Sequence, residues 1–195
     1  MNQPSEPQKT IFFGVGSPHG FDQIGWKIID AIEELLPSSP TRIPTELYKL
    51  NTPSDLLNHV LPSNLDQPTS RKTLWILIDA CINTHTCNHA AAYEPIPQNL
   101  SPWIHRWDWP TQTDSLHALA NPNPKGSSHG FGLIEALQLA DTLGLTPDSV
   151  CIFAIECNSS TSPCANPPTA PAVDAKTVSY CAENILSQLP HINLK

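Results

Sequence analysis

The chain reads as an α/β domain, a three-layer sandwich whose mostly parallel, twisted sheet has about five strands and carries helices on both faces. Two observations predict this. Short apolar, β-branched runs alternate with stretches whose apolar residues recur at helical spacing, and that alternation is the signature of a parallel sheet with crossover helices. Three polar signatures also punctuate the pattern: Phe13-Gly14-Val15-Gly16 leading to Asp22-Gln23-Ile24-Gly25, then Ile76-Leu77-Ile78-Asp79, then Ser127-Ser128-His129-Gly130. Parallel sheets bind ligands beyond the carboxyl ends of their strands, so polar residues placed there are the first candidates for function.

Taken in order, Thr10 to Val15 is β-branched and aromatic and is ended by glycines, so a buried first strand is expected. Asp22 to Leu36 reads as a helix, with Ile24, Ile28, Ile29, Ile32, Leu35 and Leu36 at helical spacing and Pro37 as its stop. Glu46 to Leu50 is a second strand. Thr52-Pro53-Ser54-Asp55 then has the form of a cap with proline at the first helical position, opening a helix to about Val60. Leu74 to Ala80 is the most apolar run and should be a central strand buried on both faces. From Cys81 to about Pro124 only Trp103 to Trp109 alternates like a strand. Ser127 or Ser128 is expected to cap a helix carrying Leu133, Ala136, Leu137, Leu139 and Ala140 and ended by Gly144. Val150 to Ile155 is a further strand, and Val173 to Leu189 the closing helix.

The 195 residues suit one domain, expected over residues 10–190 after a disordered tail at 1–9. The 21 prolines cluster at the N-terminus, at 95–124 and at 163–171, which places long loops there. A formal net charge of -8 argues against nucleic acid or an anionic membrane as partner. No apolar run approaches the ~20 residues of a membrane span, and Met1 to Lys9 lacks the apolar stretch of a signal peptide, so a cytoplasmic protein with reduced cysteines is expected.

Asp22, Asp79 and His129 come from three separate elements delivered to one sheet edge, and two carboxylates with an imidazole make a site for one divalent metal ion. Other readings of these stretches are weaker. Gly14-x-Gly16 with Gly20 resembles a dinucleotide loop, but the second strand ends Lys49-Leu50-Asn51, without the acid that would hold a ribose. Cys81-x3-His85-x-Cys87-x-His89 looks like a metal cluster, yet its spacings do not form two separated knuckles. Trp103, His105, Trp107 and Trp109 alternate, so they share one strand face, either packed in the core or offered to a partner.

From Thr10 to about Leu189 the chain resembles the hydrogenase maturation endopeptidases. The resemblance rests on the first strand with its G-x-G loop, an acid three residues before Gly25, hydrophobics followed by Asp79-Ala80, the Ser127 to Leu133 stretch with Leu139-Ala140 and Gly144, and Val150 to Glu156. It implies a protease that removes the C-terminal extension of a nickel-iron hydrogenase large-subunit precursor after nickel insertion. It also implies that Asp22, Asp79 and His129 are the metal and catalytic residues, and that the nickel they meet is the substrate's own. The precursor would be the partner and the protein a monomer. The chain departs from the family pattern at Ser17, at Phe21-Asp22 and at Leu50-Asn51-Thr52-Pro53, where an Asp-Gly-Gly-Thr loop is missing. That last departure motivates an alternative, a non-catalytic binding or chaperone protein that recognises a nickel centre or the precursor tail.

Overall fold

The computed structural model describes residues 9–36, 43–60, 73–82, 104–112, 132–147, 149–157 and 173–189. Its strands are β1 (Lys9–Val15), β2 (Thr45–Leu50), β3 (Thr73–Ile82), β4 (Ile104–Trp109) and β5 (Ser149–Cys157), and its helices α1 (Ile24–Leu35), α2 (Leu56–Val60), α3 (Leu133–Thr142) and α4 (Ala175–Ser187). The strands form one sheet in the order β2-β1-β3-β5-β4. The first four in that order pair parallel, and β4 closes one edge antiparallel to β5. This is the α/β sandwich the sequence predicts, with one reversed edge strand.

The apolar run read as the central strand is central. Leu74, Trp75, Ile76, Leu77 and Ile78 are all buried, because helices cover both sides of the sheet. On one face Phe12, Ile76, Ile78, Phe153 and Ile155 pack with Ile24, Ile28, Ile29 and Ile32 of α1 and with Val178, Ala182 and Ile185 of α4. On the other, Phe13, Val15, Trp75, Leu77 and Ile152 pack with Leu56 of α2 and with Ile134 and Leu137 of α3. Each such side chain contributes about 1.5–3 kcal/mol on burial. Trp107 and Trp109 belong to the second cluster, so the core reading of that aromatic stripe holds for both; Trp103 lies outside the described residues.

Two details differ from the sequence reading. The helix expected from Asp22 starts as a 3-10 turn, Gly20–Gln23, and becomes α-helical only at Ile24, where the apolar periodicity begins. The N-cap of α3 is Gly132, while Ser127 and Ser128 lie outside the described residues, and the Glu135 carboxylate folds back over this glycine at the positive end of the helix. The far end is as read. Gly144 has φ +68, its N–H donates to the carbonyl of Asp141, and the Leu145 N–H donates to that of Ala140, which is a Schellman ending. The sequence leaves the direction of β4 open; it runs antiparallel, which brings its first residues to the carboxyl edge of the sheet.

Elsewhere the local signals hold. Thr52 is the cap of the 3-10 turn Pro53–Asp55, and Asp55 Oδ2 accepts the N–H groups of Asn51 and Thr52, both at 3.0 Å. Asp174 caps α4 by accepting from Thr177 N at 2.8 Å. Among the described residues, no helix is long and apolar enough to cross a membrane.

Candidate active site

The site is built on close backbone contact between β1 and α1. A Cβ on Gly25, the second residue of α1, would overlap the carbonyl oxygen of Val15 and come within 2.9 Å of that of Ile78. Glycine there lets the helix start rest on the ends of β1 and β3 together. Gly16 allows a similar approach just after β1, since a Cβ on it would overlap the Asp22 carbonyl. The loop is tied further by Gly16 N to Leu50 O at 3.0 Å, Ser17 N to Asp22 O at 3.4 Å and the Trp26 indole N–H to Leu50 O at 2.9 Å. The G-x-G loop thus serves a tight strand-to-helix turn that fixes where Asp22 stands.

Asp22 is exposed on the 3-10 turn and accepts from the Ser17 hydroxyl at 3.3 Å. Asp79, near the end of β3, is half-buried, and its Oδ1 accepts the Ala80 N–H at 2.8 Å. Burial pushes the Asp79 carboxyl from the ordinary 3.8 up to about 7. The Ala80 hydrogen bond opposes the rise and the negative charge of Asp22 adds to it. The two acids assigned from sequence therefore lie within electrostatic reach of each other at one edge. The third, His129, lies outside the described residues, as do His85, Cys87 and His89. Among the described residues no three His, Cys, Asp or Glu side chains form a metal cluster. The Asp22–Asp79 pair itself suits a cation, because a positive charge between them would relieve both the burial of Asp79 and the repulsion from Asp22.

One polar feature of this edge escaped the sequence reading. Glu156, near the end of β5, is 7% exposed, and its Oε2 lies 2.9 Å from His105 Nε2 on β4. The signal was available, since Glu156 follows the apolar Val150 to Ile155 as Asp79 follows Ile76 to Ile78. At the opposite edge a groove of about 310 Å³ is lined by Leu74, Arg106, Asp108, Cys151 and Gln188 among others. Its polar groups are engaged with one another: Arg106 donates to Asp108 at 3.1 Å, to Gln188 O at 3.4 Å and to Cys151 Sγ at 3.5 Å. That groove is a clasp joining β4, β5 and the end of α4.

The five-stranded, mostly parallel sheet with helices on both faces is an α/β fold shared with solved hydrogenase maturation endopeptidases. Among solved structures the chain is similar to the hydrogenase maturating endopeptidase HybD from E. coli at 19% identity, covering 93% of this chain and 89% of that one with a TM-score of 0.54. It is similar to an endopeptidase from Escherichia coli solved in solution, at 18% identity over 93% and 89% of the two chains with a TM-score of 0.56. The [NiFe] hydrogenase maturation protease HycI from Thermococcus kodakarensis KOD1 gives 14% identity, 93% and 92% coverage and a TM-score of 0.51. No family model matches the chain, and no curated protein matches it. At these identities the likeness is one of fold.

Proposed function

We propose that the chain is a maturation endopeptidase that removes the C-terminal extension of a nickel-iron hydrogenase large-subunit precursor, with Asp22, Asp79 and His129 meeting the nickel already held by that precursor. The observation that carries this reading is the Asp79 carboxyl, pushed up to about 7 at the end of the central strand with the charge of Asp22 beside it. An acid that titrates near neutrality can take a proton from an attacking water and return it to the departing amine. The same pair of oxygens suits a divalent ion, so a nickel-loaded precursor is favoured at this edge over an unloaded one. The reading carries with it a cytoplasmic location and action as a monomer.

The test is the intact mass of the hydrogenase large subunit in source cells with and without this chain. An uncut extension that accumulates only in its absence is expected, and an unchanged mass overturns the protease reading. One observation favours a second reading, a non-catalytic protein that recognises the nickel centre or the tail. In place of the Asp-Gly-Gly-Thr loop stands a turn whose acid, Asp55, is engaged in capping. Stable association of purified precursor and chain, without cleavage, would select that reading.

A further inference from the structure

The two acids of the site are held in different ways. Asp79 is fixed by its burial and by the Ala80 N–H at 2.8 Å. Asp22 stands exposed on the 3-10 turn Gly20–Gln23, in which no residue is buried. An exposed aspartate samples several staggered rotamers unless a contact selects one. Ser17 supplies such a contact at two levels. Its backbone N–H reaches the Asp22 carbonyl at 3.4 Å, and its hydroxyl donates to Asp22 Oδ2 at 3.3 Å. The backbone bond, with the close seat of Gly16 against the same carbonyl, places the main chain. The hydroxyl acts on the carboxylate itself, so substitution separates the two effects.

We propose that Ser17 is a positioning residue for the acidic pair, whose hydroxyl sets the orientation of the Asp22 carboxylate so that Asp22 and Asp79 together receive one divalent cation. The hydroxyl is itself well placed to do this. Ser17 is half-buried and is followed by Pro18, and the residue before a proline is confined to extended backbone, so the donor is held rather than free to swing. A hydrogen bond to a ligating carboxylate orients it toward the ion, and loss of such an outer partner typically lowers metal affinity 10–100-fold. The Ser17 contact is long and lies at the surface, which places it at the lower end of that range. Ser17 is also one of the positions at which the chain departs from the family pattern, so the contact is a feature of this chain. The inference deepens the reading of the site as one that meets a nickel-bearing precursor and rests on that reading for the identity of the cation.

The experiment uses the full chain and measures two affinities: that for the nickel ion, by titration calorimetry, and those for the nickel-loaded and nickel-free large-subunit precursor. Ser17→Ala is expected to weaken nickel binding about tenfold, whereas Ser17→Thr, which restores the hydroxyl, stays within about threefold of wild type. Thermal melting in chelator checks that both variants are folded. Equal nickel affinity in wild type and Ser17→Ala would overturn the proposal, and a lower thermal midpoint with it would make Ser17 a turn contact only. A Ser17→Thr variant as weak as Ser17→Ala would overturn it too. If the wild type binds no nickel ion by itself, the decision passes to its preference for nickel-loaded over nickel-free precursor. Ser17→Ala should then reduce that preference about tenfold and Ser17→Thr should keep it, and an undiminished preference in Ser17→Ala overturns the proposal. A wild type that binds nickel but neither form of the precursor refutes the maturation reading, while the nickel affinity of Ser17→Ala still decides the role of Ser17. A wild type with neither nickel affinity nor a preference between the two precursors overturns both.

Discussion

The Asp79 carboxyl makes a stability prediction whose sign is the reverse of the usual one for an acid. Its pKa is about 7 in the fold against 3.8 for an ordinary carboxyl, and burial is the main cause. Below about pH 3.8 the group is protonated whether folded or not, and it contributes nothing. Between 3.8 and 7 the unfolded chain ionises first, so stability falls as pH rises. Above 7 both states are ionised and the whole penalty is present, about 4 kcal/mol at about 1.36 kcal/mol per tenfold change in proton affinity. Between pH 5 and 8 alone the fall is about 2.5 kcal/mol. Asp79→Asn keeps the size and the acceptor for Ala80 N–H but cannot ionise, so this slope should vanish. The variant should exceed wild type by about 2–4 kcal/mol at pH 8. Asp22→Asn should recover only a small fraction, since its charge is the least of the three causes. The assay is urea unfolding at pH 5, 6, 7 and 8 in the presence of a chelator, which keeps a bound cation from supporting the ionised form. A difference between wild type and Asp79→Asn that does not change with pH would refute the reasoning.

Other expectations follow from the same geometry. Asp79→Ala and His129→Ala should each lower tail release by about 10²–10⁴ while the far-ultraviolet circular dichroism is retained, and normal processing by both would remove the site assignment. Gly25→Ala should destabilise by about 3 kcal/mol in chemical denaturation, because its methyl meets the carbonyls of Val15 and Ile78. Asp174→Ala and Asp55→Ala should each cost about 1 kcal/mol through a lost cap, read as a drop in thermal midpoint. The Cys151 and Cys181 thiols are pushed up to about 12, chiefly by burial, so roughly one molecule in ten thousand carries a thiolate at either position at pH 8. Alkylation at both should be slow until urea is added, and rapid labelling of the folded protein would contradict their placement.

How much could be read in advance varied by element. Strands β1, β3 and β5 and helices α1 and α4 were legible because each carries its own apolar period; the position of Asp79 was legible because it ends such a run, and that of Asp22 because it follows the glycines that close β1. The direction of β4 was not, since a period of two is the same in a parallel and an antiparallel strand. The 3-10 start of α1 was hidden because Asp22 and Gln23 are compatible with helix, and only the contact of Gly16 with the Asp22 carbonyl decides the tighter turn. The start of α3 at Leu133 was not legible, since Gly132 makes no side-chain cap, and Ser127 and Ser128 lie outside the described residues. The Asp79–Asp22 coupling depends on how the turn after β1 seats against β3, and the Glu156–His105 pair on register between β5 and β4, neither of which a local pattern encodes.

The reversal of β4 has a consequence for how this protein can vary. Strand β3 leaves the sheet and β4 enters it at the same edge, the one that carries Asp22 and Asp79. Ile82, where β3 ends, and Ile104, where β4 begins, therefore both lie on the side of the sheet that carries the two acids. Lengthening the connection between them is cheap, about 0.6 kcal/mol for each doubling, and does not disturb the strand pairing that positions the acids. Insertions and deletions between these two strands therefore leave the placement of the acids intact, so the scaffold tolerates changes of chain length there at little cost.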